Sequence, residues 1–494
     1  MKSFILFGIL FAMLIGTVLA QNATTNDVNA FKQALEKDGF TVQKGEIGFL
    51  DFLKLYDIGV TPSAWGNNPT TKYLVYFVPP ALGYKMDPLL SKHAKTLGFS
   101  GNNSPVWKLR PDEAVVFVGR TPPECRYFSF DPTMQFRKYG NETRWVCVPL
   151  GNTLNMVNIK TEGTPNGLPG NPYNQTAVIV HTADKGIDQR IRAAASSARY
   201  SGDIINTMVI PSSMLNMGLE NNSDTFCVYI RPALYKDTQA GNNYLNNTPV
   251  TIFRVTPNES TALDPYNMTE LKVRGTGKTE FDLMVDLEKL KTAILKKYSD
   301  LNATELPISQ WYPNANEGFQ RGINTYGPTN DACYLWTENQ TLSAKTLPFN
   351  DVWQTYPFLH DSQVTLGNNT SEFIIIYGVN HVATGKAMYI NAGIFGAKAW
   401  NGIGAITDLS LNGTAQEYLP DNPNAKYLYV YKIARHSNGE PHCFEVPFGP
   451  RVYGIGPDQP LMIAFRIYFE PATKTGPSYS EIVYDRAIKF DPKK

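Results

Sequence analysis

The sequence predicts an α+β protein with a ferredoxin-like N-terminal half, a connecting helix and an antiparallel, sandwich-like C-terminal half. Three observations lead to this fold class. Two strand–helix–strand units follow each other within residues 111–275, an amphipathic helical pattern covers residues 280–299, and strand-like segments dominate residues 300–494.

The two units of the N-terminal half are recognised by their periodicity. In the first, the β-branched segment Ala177–His181 precedes apolar residues at helical spacing, and a strand over Ile204–Ile210 follows. In the second, a strand over Thr225–Ile230 precedes a short helix and a strand over Val250–Val255. Two successive units of this kind are typical of a split β-α-β, ferredoxin-like domain.

The remaining elements complete the domain organisation. Residues 21–110 are predicted to form a helical and irregular segment, in which Glu46–Tyr56 carries a weak helical pattern. Residues 280–299 have apolar side chains on one face and lysines near the C-terminal end, as expected of a helix between two halves. After an aromatic, loop-rich stretch, strands are predicted over Phe373–Val379, Ala387–Phe395, Lys426–Ala434, Leu461–Phe469 and Ser480–Phe490.

Residues 1–20 have the pattern of a cleaved signal peptide. A lysine precedes the apolar run Phe4–Val18, and the small residue Ala20 ends the segment. An uncleaved anchor is the alternative, but the run is short for a bilayer span. Because no later stretch is long and apolar enough to cross a bilayer, we expect a secreted or surface-associated protein without a membrane span after cleavage.

Thirteen Asn-x-Ser/Thr triplets indicate N-glycosylation, whereas about five are expected by chance for this composition. The alternative is an asparagine-rich protein that never meets the glycosylation machinery. Two triplets are poor candidates, since Asn22 adjoins the cleavage site and Asn369 overlaps its neighbour. The predicted glycosylation sites are Asn102, Asn141, Asn174, Asn221, Asn246, Asn258, Asn267, Asn302, Asn339, Asn368 and Asn412.

The spacing of these triplets also suggests where a functional surface can lie. A glycan is bulky, so an acceptor asparagine is not expected inside a cleft or a partner interface. Residues 177–220, 371–411 and 413–494 contain no triplet. These stretches are the ones in which we expect a binding or catalytic surface.

Five cysteines leave an odd thiol in a protein expected to be exported. Of the many possible pairings we favour disulfides that join Cys125 to Cys147 and Cys333 to Cys443. Cys227 then stays unpaired in a strand. A reactive nucleophile at Cys227 is the alternative, but a buried strand thiol is usually inert.

Composition and motifs exclude several function classes. The formal net charge is +1 and there is no basic run, which argues against a nucleic-acid partner. The segment Gly275–Thr279 resembles the end of a phosphate-binding loop, but Lys272 stands where that motif requires glycine, so a solvated turn is the better interpretation. No motif matches a characterised family, and cofactors and metals stay unknown.

Histidines supply one candidate site. His436 and His442 flank a turn that could bring them together, Arg435 precedes the first of them, and His381 lies at the end of a predicted strand. These four residues are the candidate catalytic set of a secreted hydrolase or metal-dependent enzyme. A hydrogen-bonded surface hairpin is the alternative for His436 and His442.

Aromatic residues supply the other candidate site. Trp311, Trp336 and Trp353 lie in a stretch rich in amides, a mixture suited to stacking on sugar rings or peptides. His181 and Asp184 follow a strand at the start of a helix, where α/β proteins often bind ligands, although Asp184 is equally explained as a helix cap. The leading hypothesis is therefore a binding protein for a carbohydrate or protein partner.

Overall fold

Strands dominate the fold, which is a mixed α/β arrangement of several sheets. The structure, a computed structural model, describes residues 27–59, 63–64, 67–84, 102–311, 314–337, 364–449 and 451–493. In these ranges the helices are α1 (27–37), α2 (Phe52–Asp57), α3 (Lys185–Ser197), α4 (Thr238–Asn246), α5 (Met284–Lys297), α6 (Ala315–Arg321) and α7 (Asp408–Leu411).

Most strands of the N-terminal half belong to one large sheet. Its order is β6-β5-β10-β2-β1-β12-β3-β8-β9, with β7 paired to β5, while β11 and β4 form a separate pair. The strands are β1 (Phe40–Leu50), β2 (Tyr73–Phe77), β3 (Ala114–Arg120), β4 (Cys125–Tyr127), β5 (Ser129–Tyr139), β6 (Glu142–Pro149), β7 (Leu154–Asn155), β8 (Thr176–Thr182), β9 (Ile205–Val209), β10 (Thr225–Ile230), β11 (Ala233–Tyr235) and β12 (Val250–Pro257).

Both faces of this sheet are buried. Helices α1 and α3 cover one face, where Phe31 and Ile191 pack on Val116 and Val180. Residues of opposite parity, such as Phe117, face a second core that also receives side chains from β5, β6 and β10. Two-sided burial explains why these strands are continuously apolar.

The ferredoxin-like arrangement is not confirmed. Strands β8 and β9 are directly paired and parallel, whereas a split β-α-β unit leaves a gap between them for another strand. Strands β10 and β12 of the second unit are separated by β1 and β2. Residues 21–110 therefore supply strands to the middle of the sheet. The helical pattern over Glu46–Tyr56 gives way to strand as far as Leu50 because Glu46–Leu50 pairs with β2.

The C-terminal half forms two further sheets in the described residues. Their orders are β13-β22-β16-β19-β20 and β14-β15-β21-β17-β18, and every pair is antiparallel except β19 with β20. The strands are β13 (Leu301–Leu306), β14 (Ser309–Gln310), β15 (Ala332–Trp336), β16 (Phe373–Val379), β17 (Tyr389–Gly396), β18 (Asn401–Thr407), β19 (Leu428–Ala434), β20 (Cys443–Glu445), β21 (Leu461–Tyr468) and β22 (Arg486–Pro492).

Successive cores join these layers. Ile376 from the first sheet and Ile394 from the second lie in one core between them. Helix α5, which follows a 3-10 turn over Phe281–Leu283, packs Leu290 against the outer face of the first sheet. The outer face of the second sheet contributes Trp336 to a core shared with Val75 of β2. The two halves thus meet along an apolar, aromatic-rich interface.

The predicted disulfides are wrong, because all five cysteines are free thiols. Cys125, in the β4–β11 pair, donates from Sγ to the carbonyl of Tyr127, whereas Cys147, in the large sheet, accepts from Gln135. Cys333 packs between the two C-terminal sheets, whereas the half-buried Cys443 packs on the outer core with α5. The two cysteines of each predicted pair lie in different cores, which their spacing in the sequence does not indicate. Among the described helices, none has the length and apolarity needed to cross a bilayer.

Candidate functional site

Four aromatic rings form a cluster where the two halves meet. The centroids of Trp311 and Trp336 are 4.5 Å apart, those of Tyr326 and Trp400 are 5.0 Å apart, and Trp336 lies 5.6 Å from Trp400. Trp311 follows β14 and is held by a backbone hydrogen bond to Tyr334. Because Trp311 and Tyr326 are half-buried, the cluster reaches the surface.

The backbone at two of these rings is strained. Tyr326 has φ 59° and Trp400 has φ 57°, in the left-handed region that non-glycine residues rarely occupy. Such a conformation costs about 1–3 kcal/mol and persists only where the surroundings impose it, often at ligand sites. The two strained residues stack on each other at the same cavity.

That cavity, which we call the interface cavity, has a volume of about 60 Å³. It combines an aromatic wall with several hydrogen-bond donors. The wall is formed by Tyr73, Trp311, Tyr326, Tyr334, Trp336, Phe395, Trp400 and Tyr468, and the polar lining includes Asn67, Asn68, Arg231 and Arg466.

Arg231 is fixed at the base of the interface cavity by a buried ion pair. Its Nη2 lies 2.6 Å from Oδ2 of Asp131 and donates to the carbonyl of Gly327 at 2.9 Å. Burial alone would lower the pKa of Arg231, but Asp131 raises it above its usual value. Burial raises the pKa of Asp131 to about 6, against the opposing effect of Arg231. The cavity therefore has a permanent cation at its base.

A second polar cluster surrounds His381, beyond the end of β16. Nδ1 of His381 lies 2.8 Å from Oε2 of Glu280, and Nε2 lies 3.9 Å from Oδ2 of Asp485. Burial alone would lower the pKa of His381, but the two carboxylates outweigh it and raise the pKa to about 10. Glu280 also accepts hydrogen bonds from Thr384 and from the amide of Val483. His381 thus lies buried between two carboxylates that favour its protonated form.

Lys386 extends this cluster. Its Nζ lies 2.8 Å from Glu470 and 2.6 Å from Glu481. The backbone amides of Thr276 and Gly277 donate to the same Glu481 carboxylate. Burial would raise the pKa of Glu481, but Lys386 and these two amides hold it well below its usual range. The glycine-rich turn over Gly275–Thr279 therefore binds a carboxylate of its own chain.

A cleft of about 650 Å³ opens beside this cluster, lined by Glu280, Thr384 and Lys386 among others. His381 does not line it and has no exposed surface. Among the described residues, no group of three or more His, Cys, Asp or Glu side chains could hold a metal ion. The arrangement holds segments together, and it presents no histidine nitrogen to a substrate.

The other members of the candidate catalytic set lie elsewhere. In the antiparallel pair β16–β19, Val379 is opposite Leu428 and Phe373 is opposite Ala434, so His381 and Arg435 extend from opposite ends of the pair. At about 3.3 Å per residue, the two ends of this pair are about 20 Å apart, and His381 and Arg435 lie beyond them. Within the described ranges, the two residues share no hydrogen bond or ion pair.

The other three candidate catalytic residues, Arg435, His436 and His442, lie near Ala434 and contact different groups. The buried Arg435 donates to the carbonyls of Leu366, Val446, Ile455 and Gly456. His436 is exposed and lies 3.0 Å from the amide oxygen of Asn368, and His442 is exposed beside the ring of Tyr431.

His181 and Asp184 both have structural roles. His181 is completely buried, its Nε2 lies 3.3 Å from the hydroxyl of Tyr76, and burial lowers its pKa to about 3. Asp184 caps α3 by accepting from the amide of Ile187 at 2.9 Å, as its alternative interpretation predicts. Asp184 also accepts from the amide of Asp264.

Trp353, Asn22 and Asn339 lie outside the described residues. Trp311 and Trp336 lie together, as the aromatic hypothesis requires, although Trp336 is buried. All eleven acceptor asparagines in the described ranges are exposed, and none of them lines either cavity named above. Exposure is what glycosylation at these positions requires.

Sequence reasoning missed Arg231 and Arg466 at the interface cavity. A signal for Arg466 was present, because it is the one charged residue inside the apolar strand β21. Such a charge has to find a partner or a polar cavity. Arg231 gave a weaker signal, as it follows the end of β10 directly.

Comparisons with known proteins place the chain in no family. No protein-family model matches it, and no curated protein matches it. Among solved structures it is similar to the VPA0106 protein from Vibrio parahaemolyticus, with 9% identity, 95% of this chain and 97% of that chain covered, and a TM-score of 0.36. That score is too low to show a shared fold.

Proposed function

We propose that the protein is an exported, N-glycosylated binding protein that takes a carbohydrate at the interface cavity. The observation that carries this proposal is the convergence of half-exposed Trp311 and Tyr326 with the polar side chains of Asn68, Arg231 and Arg466 around one concavity. Sugar rings stack their C–H faces on aromatic side chains and hydrogen-bond at their edges. Both kinds of contact are available here.

The form of the surface favours a carbohydrate over a protein partner. A stable protein interface usually buries about 800 Å² of surface on each partner, whereas the interface cavity is small and concave. The strained backbone of Tyr326 and Trp400 fits a preformed pocket. We further infer that the C-terminal half is a sandwich-like scaffold, which the core shared by its two sheets supports.

The geometry does not favour the alternative of a histidine-centred hydrolase. A catalytic base must reach the proton that it removes, and His381 has no exposed surface. Its Nδ1 is engaged by Glu280. The position of Arg435, at the far end of the strand pair, adds nothing to that cluster.

Binding is tested by titrating the purified protein with glucose, galactose, N-acetylglucosamine and their short oligomers while following tryptophan fluorescence. We expect one class to change the emission, and Trp311→Ala to weaken its binding at least tenfold because the stacking face is lost. Trp311→Phe should retain part of the affinity. Tyr453→Ala, which removes an exposed ring away from the cavity lining, serves as the control and should bind normally. Equal affinity in Trp311→Ala and wild type would refute the proposal.

Export and glycosylation are tested by producing the full chain in a glycosylating eukaryotic host. We expect the protein in the medium, starting after Ala20, and a decrease in mass on treatment with an N-glycosidase. Retention in the cell at the full sequence mass would refute this part of the proposal.

A further inference from the structure

Two arginines from different halves of the protein line the interface cavity. Arg231 follows β10 of the N-terminal half, and Arg466 lies within β21 of the C-terminal half. Like charges at one small cavity repel each other unless anions separate them. Only Asp131 is paired with either arginine among the described residues.

Arg231, which lines this cavity, has one buried donor without a partner in the described part of the chain. Its side chain is 8% exposed, and Nη2 is engaged by Asp131 and by the carbonyl of Gly327. The buried Nε has no hydrogen-bond partner among the described residues. A buried donor without an acceptor destabilises the folded protein, so an acceptor supplied by a ligand would remove that loss.

Arg466 has fewer polar partners than Arg231 in the described ranges. Its guanidinium lies over the ring of Phe395, 5.2 Å from the centroid, and no described residue forms an ion pair or hydrogen bond with it. Nη1 is buried. Nδ2 of Asn68, which lines the same cavity, is also buried without a partner, while its Oδ1 accepts from Thr70.

From these three donors we propose that the interface cavity binds the carboxylate of an acidic sugar, between Arg231, Arg466 and Asn68. Guanidinium and amide donors suit the oxygens of an oxyanion. Asp131 neutralises one of the two arginines, which leaves a single positive charge and favours a monoanion over a phosphate dianion. A cavity of about 60 Å³ admits a group of a few atoms, so the carboxylate enters while the sugar ring stays against Trp311 at the mouth.

This inference rests on the proposed carbohydrate binding, and the probes are chosen to separate the two. Sodium D-glucuronate carries the carboxylate, D-glucose lacks it, and D-glucose 6-phosphate carries a dianion. Calorimetric titration of the wild type should show glucuronate binding at least tenfold more tightly than either of the others. Glucose binding as tightly as glucuronate would overturn the carboxylate site and leave carbohydrate binding standing. Tighter binding of glucose 6-phosphate would overturn the preference for a monoanion.

Sodium acetate tests the case in which the protein binds a carboxylate but no carbohydrate. If acetate raises the melting temperature of the wild type and glucuronate adds nothing to its effect, the anion site stands and the carbohydrate proposal fails. If neither acetate nor glucuronate has any effect, the anion site itself is refuted.

Variants of Arg466 test whether this arginine binds the carboxylate. Arg466→Gln should lower the affinity for glucuronate at least tenfold and leave that for glucose within twofold, and Arg466→Lys should recover part of the loss because it restores the charge. Arg451→Gln, at an exposed arginine that pairs with Asp57, is the matched control. Full glucuronate affinity in Arg466→Gln would overturn the proposal. Because Arg466 has no ion pair to break within the described chain, this variant is expected to fold, and its melting temperature verifies that.

Discussion

Nδ1 of His381 lies 2.8 Å from Oε2 of Glu280, and neither side chain is exposed to any significant extent. The pair joins the segment before α5 to the loop after β16. Asp485, which precedes β22, lies 3.9 Å from the other ring nitrogen and accepts a hydrogen bond from the hydroxyl of Tyr429. One buried cation thus connects three segments that are distant in sequence.

Replacing His381 should destabilise the C-terminal half. His381→Gln leaves the buried Glu280 carboxylate without its cation, and breaking a buried ion pair of this kind costs about 3–5 kcal/mol. Urea denaturation followed by circular dichroism measures the loss. His436→Gln is the matched control, because His436 is exposed and should change stability by less than about 0.5 kcal/mol. An equal, small effect of both variants would contradict the role of the pair.

The same pair predicts a loss of stability in alkaline solution. The pKa of His381 is raised from 6.5 to about 10, so the folded state holds this proton more tightly than the unfolded state. Its contribution is complete below pH 6.5 and is lost as the pH rises from 6.5 through 10. The free energy of unfolding, measured in urea at intervals over this range, should fall more steeply in the wild type than in His381→Gln. Parallel curves for the two proteins would show that His381 is not the titrating group.

Local pattern predicts individual elements well here. The strand over Thr225–Ile230 and the strand over Phe373–Val379 are confirmed with the predicted limits, because each is a continuous apolar segment that any buried strand position would accept. The order of the strands in the sheets could not be predicted from local pattern. Pairing of β1 with β12 joins residues more than 200 positions apart, such as Gly45 and Ile252, and no local period specifies it.

The candidate site was predicted only in part, for a related reason. Trp311 and Trp336 are adjacent because β14 pairs with β15. These two strands are close in sequence, so their pairing can be predicted from the sequence. Arg231 reaches the same cavity from the other half of the protein. A side chain whose role depends on a contact between halves is indistinguishable, in sequence, from one at the end of any strand.

The cysteines should behave as free, slowly reacting thiols. Burial raises the pKa of Cys147 and of Cys333 to about 12, and only the thiolate reacts readily. A thiol reagent should therefore modify the half-buried Cys443 first and the other four only on unfolding. Dithiothreitol should leave the melting temperature unchanged, because there is no disulfide to reduce. Fewer than five modified thiols in the denatured, non-reduced protein, measured by mass spectrometry, would contradict the free-thiol state.

A glycan at Asn302 should keep the edge of a sheet from pairing with another molecule. Strand β13 pairs only with β22 in the described residues, and Asn302 and Thr304 are exposed along it. Unprotected edge strands promote association, and a bulky substituent blocks it. When both variants are produced in a glycosylating host, Asn302→Gln should self-associate more than Asn221→Gln. The latter is the control, because it removes an acceptor from a turn. Light scattering at high concentration measures the difference. If both variants lose a glycan and stay equally monodisperse, the edge does not need that protection.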